Sequence, residues 1–393
     1  MPCPRDWLRI AFASGGFALR CARARAEGEV WDVGIIQGFL QRDRGQLQIL
    51  QRWPGVVVHG FARGRWWASC GYRLLFAEGG GDWRDAGEVP EVFFKQVGAR
   101  LPLVNLALRL GVHFWGPLGD GAEIAVISGS LVRRDKGGNW QTGLKFEGFR
   151  KPTRHGVLVD DKHRVFVAMY SLNRERKQPI HLWRSDDGAR TFQIVKTFAP
   201  GVARHIHFIQ QDPADGSLWL GTGDSDAESA IYRSVDSGLS WHCVGGGSQL
   251  WRAIAVVFQQ DAVIWGTDAG SDAGAFGNRM LRWDRLTQEL LETQQVQGPV
   301  HGIAALADGS LLASTGLEGG VNEVDNRVHL WHSVDGRTWR EIASWRNGLQ
   351  PKRVQYGVCH FAHGQAQAPE VRLTLRGLLG EQLTSFAVGL RAS

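Results

Sequence analysis

The sequence predicts an all-β fold built from repeats of about 50 residues. Three observations predict it: a recurring turn phrase that ends in an aromatic residue, short alternating strands before each copy, and 51 Gly and 17 Trp among 393 residues. With 43% hydrophobic residues the chain can bury a full core, which excludes a disordered protein. The five cysteines are scattered without a C-x-x-C pair, so no disulfide framework or zinc knuckle is indicated.

The turn phrase combines an acidic residue, a glycine and a final Trp or Phe. The clearest copies cover residues 234–241, 185–192 and 333–339, and weaker copies cover residues 135–140 and 78–83. In each turn the acidic side chain can accept backbone N–H groups and glycine supplies positive φ. The acidic residues recur about every 50 residues with one double gap, which predicts a degraded copy near Trp283-Asp284.

This phrase resembles the Asp-box, or BNR repeat, of sialidases and related β-propellers, whose form is Ser-x-Asp-x-Gly-x-Thr-Trp. The resemblance implies four-stranded antiparallel blades with an Asp-box turn between the third and fourth strands. It also implies that Asp187, Asp236 and Asp335 are scaffolding residues. A four-stranded blade has the size of this repeat.

A second repeat marks where each blade begins. Blades open at His59, His155, His205, Arg252, His301 and Tyr356, and a further opening is expected within residues 105–109. A second apolar strand follows, as at residues 165–171, 218–223, 263–266 and 311–315. Seven openings predict a single seven-bladed propeller over residues 1–393, although six or eight blades also fit the spacing.

The ring is expected to close through the chain termini. N-terminal strands at residues 8–13 and 18–22 would complete the C-terminal blade, whose own strands cover residues 354–361, 370–375 and 384–388. Such closure would remove the free sheet edges.

In this architecture the inner-strand starts and the loops between second and third strands meet at the mouth of the central channel. The candidate catalytic residues there are His205, Tyr356, Arg252, Asp224 and His301. The candidate substrate-binding residues are Arg204, His155, His59, Tyr170, Asp268 and Trp251. The same loops carry Asp226, Glu228, Asp272 and Glu318. Titratable groups at equivalent places of several blades favour a functional mouth, although channel water or blade carbonyls can also be their partners.

The richest pairing in the chain is His205 and His207 with Asp224. Alternation along a strand puts both imidazoles on one face, and Asp224 leaves the adjacent strand at the same end. Such a set could hold a divalent metal, or supply an imidazole base that a carboxylate orients. A hydrogen-bonded group without chemistry is the third interpretation.

Two enzymatic functions are compatible with this mouth. The sialidase resemblance implies an arginine clamp for a carboxylate and a Tyr nucleophile activated by Glu. Tyr356 lies late in the chain as such a Tyr should, but Ala11 breaks the expected Arg-Ile-Pro phrase, and nothing in the sequence places Glu228 beside Tyr356. Polysaccharide lyases on seven-bladed propellers are also similar to this chain: a base, His205 or Tyr356, and an arginine at the carboxylate, Arg252 or Arg204, would suit β-elimination.

The third function is a non-catalytic glycan-binding or assembly platform, in which Trp115, Trp251 and Trp265 could stack on sugar rings. We lean towards an enzyme whose ligand is an acidic oligosaccharide or polysaccharide, with hydrolase and lyase undecided. A net charge of +6 without a long basic run argues against nucleic acid. Apolar runs fall far below the ~20 residues of a membrane span, and no clear signal peptide is present, which predicts a cytoplasmic protein.

Overall fold

The structure, a computed structural model, describes residues 47–350 and 355–390, and within them the strands form seven four-stranded antiparallel sheets. The predicted all-β propeller is confirmed, and seven is the correct number of blades. The strands predicted at residues 8–13 and 18–22 lie outside the described residues. The strand that supplies the fourth position of the last blade is β1 (Leu47–Pro54), which pairs antiparallel with the last strand of the chain.

Blades 1 to 3 follow β1 in chain order. Blade 1 consists of β2 (Val57–Ala62), β3 (Arg65–Cys70), β4 (Arg73–Glu78) and β5 (Arg84–Glu88). Blade 2 consists of β6 (Phe114–Pro117), β7 (Glu123–Ile127), β8 (Ser130–Arg134) and β9 (Trp140–Lys145). Blade 3 consists of β10 (Val157–Val159), β11 (Val165–Ala168), β12 (Ile180–Ser185) and β13 (Gln193–Phe198).

Blades 4 to 7 complete the ring. Blade 4 consists of β14 (His205–Gln211), β15 (Leu218–Gly223), β16 (Ala230–Ser234) and β17 (His242–Gly246). Blade 5 consists of β18 (Val256–Phe258), β19 (Ala262–Gly266), β20 (Arg279–Asp284) and β21 (Leu290–Gln295). Blade 6 consists of β22 (Val300–Ala305), β23 (Leu311–Thr315), β24 (Arg327–Ser333) and β25 (Arg340–Arg346). Blade 7 combines β26 (Val358–Phe361), β27 (Val371–Leu378) and β28 (Glu381–Leu390) with β1.

Blade 2 begins later than the sequence predicted. Residues 105–109 were expected to open it, but most of them belong to the helix α2 (Pro102–Leu108), which follows α1 (Phe93–Arg100). Because both helices are inserted between β5 and β6, this repeat is longer than the others. The residue that stands immediately before the inner strand is His113, whose backbone N–H donates to Val126 O at 2.8 Å.

Three inner strands carry a β-bulge at a histidine. The pairing register shifts at His59 in β2, at His207 in β14 and at His301 in β22. A bulge twists the strand locally and re-aims the side chain of the extra residue. The sequence aligned His205 with the other two, whereas the structure places His207 at the equivalent position.

The acidic turns join the third strand to the fourth strand of a blade. Asp187 accepts hydrogen bonds from Ser185 Oγ at 2.7 Å and from the backbone N–H groups of Arg190 and Thr191 at 3.0 and 2.9 Å. The same pattern recurs at Asp236 and at Asp335. These carboxylates are therefore engaged in the hydrogen bonds of the turns that they organise.

Blade 5 contains the degraded copy of this turn. Asp284 accepts the backbone N–H groups of Leu286 and Thr287, both at 2.9 Å. Gln288, with φ +59°, takes a left-handed conformation in a turn that has no glycine. The Asp284 carboxylate and two backbone bonds, from Gln288 N–H to Asp284 O and from Asp284 N–H to Glu289 O, thus keep the turn without a glycine.

Side chains from neighbouring blades form the core. The junction of blades 7 and 1 holds an unusual group, the fully buried Arg372, whose guanidinium lies 4.6 Å from the ring of Trp53, 4.7 Å from Trp66 and 4.9 Å from Trp83. The Arg372 guanidinium also donates a hydrogen bond to the Glu370 carboxylate. Since Trp53 is in β1, this cation–π cluster ties the closing strand to its neighbours. Across the described ranges, no helix is long and apolar enough to cross a membrane.

Candidate active site

A cavity of about 510 Å³ opens on the face where the inner strands begin. The predicted residues that line it are His155, Tyr170, Arg204, His205, His207, Asp224, Arg252, Asp268, His301 and Tyr356. The tertiary fold therefore brings together side chains from five blades that lie up to two hundred residues apart along the chain.

His59 and Trp251, which were predicted to bind substrate, are not among the lining residues. His59 is buried inside blade 1, where its Nε2 lies 2.9 Å from Ser69 Oγ. Trp251 packs between blades 4 and 5 with its ring 5.4 Å from that of Trp265. Trp115 is also buried, stacked on Trp67 at 4.1 Å. The tryptophans proposed as sugar platforms are thus packing residues.

The His205, His207 and Asp224 side chains meet at one point. The Nε2 atoms of the two imidazoles are 2.9 Å apart, and each lies 3.2 Å from Asp224 Oδ1. The Nδ1 atom of His205 donates to Ser171 O at 2.9 Å, and that of His207 donates to Ala253 O at 3.1 Å. With both Nδ1 protons donated to carbonyls, the Nε2 atoms of the two rings and the Asp224 carboxylate converge on one point.

Two groups of residues have the donors for a metal ion. They are His205, His207 and Asp224, and Asp268, His301 and Glu318. Imidazole and carboxylate donors at such separations suit Zn²⁺ or Mn²⁺. However, Arg204 and Arg252 already bind Asp224, and His301 Nε2 already contacts both carboxylates of the second group. Because these donor atoms are already engaged with one another and with arginines, we derive no step through a metal.

The second imidazole of the cavity is held in its charged form. His301 Nε2 lies 3.3 Å from Asp268 Oδ1 and 3.2 Å from Glu318 Oε1. Burial opposes the charge, but these two carboxylates raise the pKa of His301 to about 10. Glu318 also accepts a hydrogen bond from the Tyr356 hydroxyl, and burial raises the pKa of Tyr356 well above its usual value. Glu318 thus connects an imidazolium to a protonated tyrosine.

The first imidazole has the opposite tendency. Burial lowers the pKa of His205, although Asp224 acts against it. Tyr170 covers one face of this ring at a centroid distance of 4.2 Å. Burial also lowers the pKa of the other lining imidazoles His113, His155 and His360, whereas that of His301 is raised. The cavity therefore holds neutral imidazoles beside a charged one, which is the pattern of base and acid partners.

Two glycines at the ends of second strands make room for the bulged histidines. A Cβ on Gly223 would lie 2.7 Å from His207 Cε1, and a Cβ on Gly316 would lie 2.6 Å from His301 Nδ1. Side chains do not approach each other that closely. These positions therefore require glycine because the imidazoles occupy the space.

Arg204 and Arg252 cannot serve as a free clamp for a substrate carboxylate, as the lyase hypothesis supposed. Arg204 is bound to Asp224, and Arg252 donates to Asp272 Oδ1 at 3.0 Å and lies 3.7 Å from Asp268. Glu228, considered as a partner for Tyr356, is instead paired with Arg176. Both arginines position the carboxylates of the cavity.

A second side of the cavity, which we call the basic wall, consists of Arg109, Lys151, Arg154 and Arg376. None of them forms an ion pair with a described residue. Lys151 Nζ donates to Arg109 O at 3.0 Å, Arg154 Nη2 to Val58 O at 2.9 Å and Arg376 Nη2 to Asn105 Oδ1 at 2.8 Å. Neutral acceptors leave the positive charges of the wall uncompensated, so the wall is suited to an anion.

Sequence reasoning missed the basic wall because its members share no repeat position. Arg109 follows α2, Lys151 and Arg154 precede β10, and Arg376 lies inside β27. The available signal was the position of Lys151 and Arg154 immediately before His155, which the repeat predicts at the mouth.

The comparisons with known proteins identify the fold. No family model and no curated protein matches the sequence. Three solved structures share the fold over most of the chain. A Staphylococcus aureus virginiamycin B lyase with quinupristin has a TM-score of 0.53 at 14% identity over 88% of this chain and 99% of its own. A Niastella koreensis GH74 enzyme has a TM-score of 0.55 at 12% identity over 87% of this chain and 53% of its own. YCF48 bound to a D1 peptide has a TM-score of 0.50 at 11% identity over 90% of this chain and 99% of its own.

Proposed function

We propose that this chain is an enzyme that cleaves an acidic saccharide by β-elimination in the central cavity. The observation that carries the proposal is the coexistence, in one cavity, of an ion-pair-free basic wall, of His205, whose neutral form burial favours, and of Tyr356, whose protonated form burial favours. The similar folds include a lyase, a glycoside hydrolase and a peptide-bound protein, so the fold alone does not select an activity.

The basic wall supplies the recognition step. A uronate carboxylate can pair with the guanidinium of Arg154 or of Arg376, because neither has a carboxylate partner among the described residues. The same charges stabilise the negative charge that develops on the carboxylate when the neighbouring carbon loses its proton. Burial in the cavity strengthens both effects, since less water screens the charges.

The proton transfers fall to the other side of the cavity. His205 Nε2 takes the proton from the carbon next to the carboxylate, and its tautomer is set by the Nδ1–H bond to Ser171 O. The electron pair of that C–H bond forms a carbon–carbon double bond as the glycosidic C–O bond breaks. The leaving oxygen takes its proton from the hydroxyl of Tyr356, which its high pKa keeps protonated until then. Arg252 and Asp224 position these groups.

Elimination suits this cavity better than hydrolysis by two carboxyl groups. A glycosidase of that kind needs a carboxyl group that stays protonated near neutral pH. Burial raises the pKa of a carboxyl group, but other interactions outweigh burial at both central carboxyls. Hydrogen bonds from His205 and His207 lower the pKa of Asp224, and His301 lowers that of Glu318 to about 2. Neither residue can supply the required proton.

One contact favours a second candidate function. The Tyr356 hydroxyl is hydrogen-bonded to Glu318, and a Tyr paired with Glu is the nucleophile that the sialidase resemblance implies. Glu318 thus takes the place in which Glu228 was considered. A hydrolytic enzyme on this pair would also use the basic wall for the substrate carboxylate.

A panel of uronate-containing and sialylated glycans tests these functions. Ultraviolet absorbance of the unsaturated uronate together with new reducing ends would establish a lyase. Reducing ends or free sialic acid without that absorbance would establish a hydrolase. Neither signal, with binding retained, would overturn the enzymatic proposal in favour of a glycan-binding platform.

His205→Ala is the variant that tests the base. We expect loss of turnover with the far-ultraviolet spectrum and thermal midpoint close to those of the native protein. His181→Ala is the matched control, because His181 Nδ1 contacts only Thr197 Oγ1 at 3.0 Å on the outer part of blade 3. Full activity of His205→Ala would remove this residue from the mechanism.

A further inference from the structure

A recess of about 50 Å³ extends from the basic wall. The charged and imidazole side chains that line it are Arg109, His113, Lys151, Arg154, His360 and Arg376. None of its lining residues is an Asp or a Glu. On the same measure the recess has about a tenth of the volume of the main cavity, which suits a small charged group.

The donors around this recess are far from satisfied. The Nε atom of Arg154 and the Nε2 atom of His113 are buried and have no hydrogen-bond partner among the described residues. Lys151 Nζ has three protons but a single recorded acceptor, Arg109 O. Buried polar groups are normally paired with protein, water or a ligand, so these open positions leave donors free for acceptor atoms placed in the recess.

The charges of the recess also repel one another. Burial, together with Arg376, Arg109 and Arg154, lowers the pKa of Lys151 to about 7. Burial lowers the pKa of Arg154 to about 10, and burial with Arg109 and Arg154 lowers that of Arg376 to about 10. An anion among these groups would reverse the repulsion.

We propose that the recess binds a compact tetrahedral oxyanion, namely a sulfate ester or phosphate group carried by the acidic saccharide. The substrate assignment rests on the proposed function, whereas binding of the oxyanion does not. A planar carboxylate offers two oxygens, which one guanidinium satisfies. Donors that approach from three different segments of the chain suit a tetrahedral group with three free oxygens.

Calorimetric titration with inorganic sulfate and phosphate at constant ionic strength tests the recess without any turnover. We expect Arg154→Gln to weaken binding at least tenfold. Arg150→Gln is the matched control, since Arg150 lines the cavity but not the recess, and it should bind as the native protein does. Because Arg154 is partly buried, Lys151→Met provides a second variant, and thermal unfolding verifies that both are folded.

Proton uptake provides a further readout of the same binding. At pH 8 the Lys151 amine is mostly neutral, and a bound oxyanion opposite Arg109, Arg154, Arg376 and the neutral His113 would raise its pKa. Titrations in buffers of different ionisation enthalpy should therefore show proton uptake in the native protein and none in Lys151→Met. Equal affinity of the native protein and Arg154→Gln, or an absence of binding, would overturn the proposal.

Sulfated and unsulfated uronate disaccharides then distinguish the source of the oxyanion. An ester on the substrate predicts at least tenfold tighter binding of the sulfated sugar, and loss of that gain in Arg154→Gln. If the recess instead binds a free anion, both sugars should bind equally, and inorganic phosphate should bind together with the unsulfated sugar. That result would overturn the assignment of the oxyanion to an ester on the substrate. Oxyanion binding without any cleavage of glycans would overturn the proposed function but would still support the oxyanion site in the recess.

Discussion

Glu318→Gln removes one of the two carboxylates that hold the His301 proton. The two oxygens lie at nearly equal distances from Nε2, 3.2 Å for Glu318 and 3.3 Å for Asp268. We expect the pKa of His301 to fall from about 10 towards its ordinary value of 6.5, because burial then meets a single opposing charge. Tyr356 would at the same time lose its anionic acceptor.

The magnitude follows from the size of the shift. A change from 6.5 to about 10 corresponds to roughly 5 kcal/mol in favour of the charged form, at about 1.4 kcal/mol per pH unit. Loss of one of two comparable partners should cost about 2 kcal/mol of stability near pH 6. Since the folded-state pKa is raised, the His301 contribution is complete below pH 6.5 and is lost as the pH rises towards 10. The Glu318 pKa is depressed, so its contribution is complete above pH 4.5 and is lost as the pH falls towards 2.

Denaturant unfolding at pH 6 and pH 9.5 measures the stability, and NMR titration of the imidazole protons measures the pKa. We expect the difference in unfolding free energy between native protein and variant to be largest at pH 6 and to shrink by pH 9.5. Turnover of the variant should decline at lower pH than that of the native enzyme. Glu341→Gln is the matched control, because His329 lies between Asp325 and Glu341 at 3.1 and 3.2 Å in blade 6 and is not part of the cavity.

The control should reproduce the change in stability without any change in the pH profile of turnover. A Glu318→Gln profile that coincides with the native one would refute the role of this carboxylate in catalysis. An unchanged pKa of His301 would refute the electrostatic reasoning itself.

Three further perturbations separate scaffold from site. Asp236→Ala should lower the unfolding free energy by about 2 kcal/mol at unchanged turnover, since the backbone and side chain of Ser240 lose their acceptor; denaturant curves check it. Gly223→Ala should reduce turnover at least tenfold by displacing His207, whereas Gly80→Ala, with open space around it, should not; steady-state kinetics decide. Chelators should leave turnover unchanged, and activity that is lost to them and regained with Zn²⁺ or Mn²⁺ would show a metal centre instead.

The sequence repeat alone predicts most of the fold. An acidic turn is a local structure, because Asp187 bonds only to residues within four positions of itself, so its pattern can be recognised in the sequence. The apolar second strands were placed for the same reason, and β15 and β23 begin and end where alternation predicted. The connection before His113 contains two helices. The repeat is therefore longer there, and the predicted start of blade 2 was wrong.

Half of the cavity could be anticipated in the same way. His205, His207 and Asp224 are adjacent in a strand pair, and their meeting follows from pairing within a single blade. The junction of Glu318 with Tyr356 joins blades 6 and 7, and no local pattern predicts which side chains meet across two blades. The bulge at His207 escaped detection because a one-residue shift in register leaves no mark on the amino-acid pattern.

The amino-acid sequence by itself determined the class of fold, the blade count among three choices, the acidic turns and most of the predicted histidines at the channel mouth. These depend on interactions between residues less than one repeat apart. Contacts between blades decided the rest: they left Arg154, Lys151 and Arg376 without carboxylates, joined Glu318 to Tyr356 and packed Trp115 against Trp67. Charge balance in a cavity is a property of all the side chains that reach it, and only the tertiary structure decides which ones do.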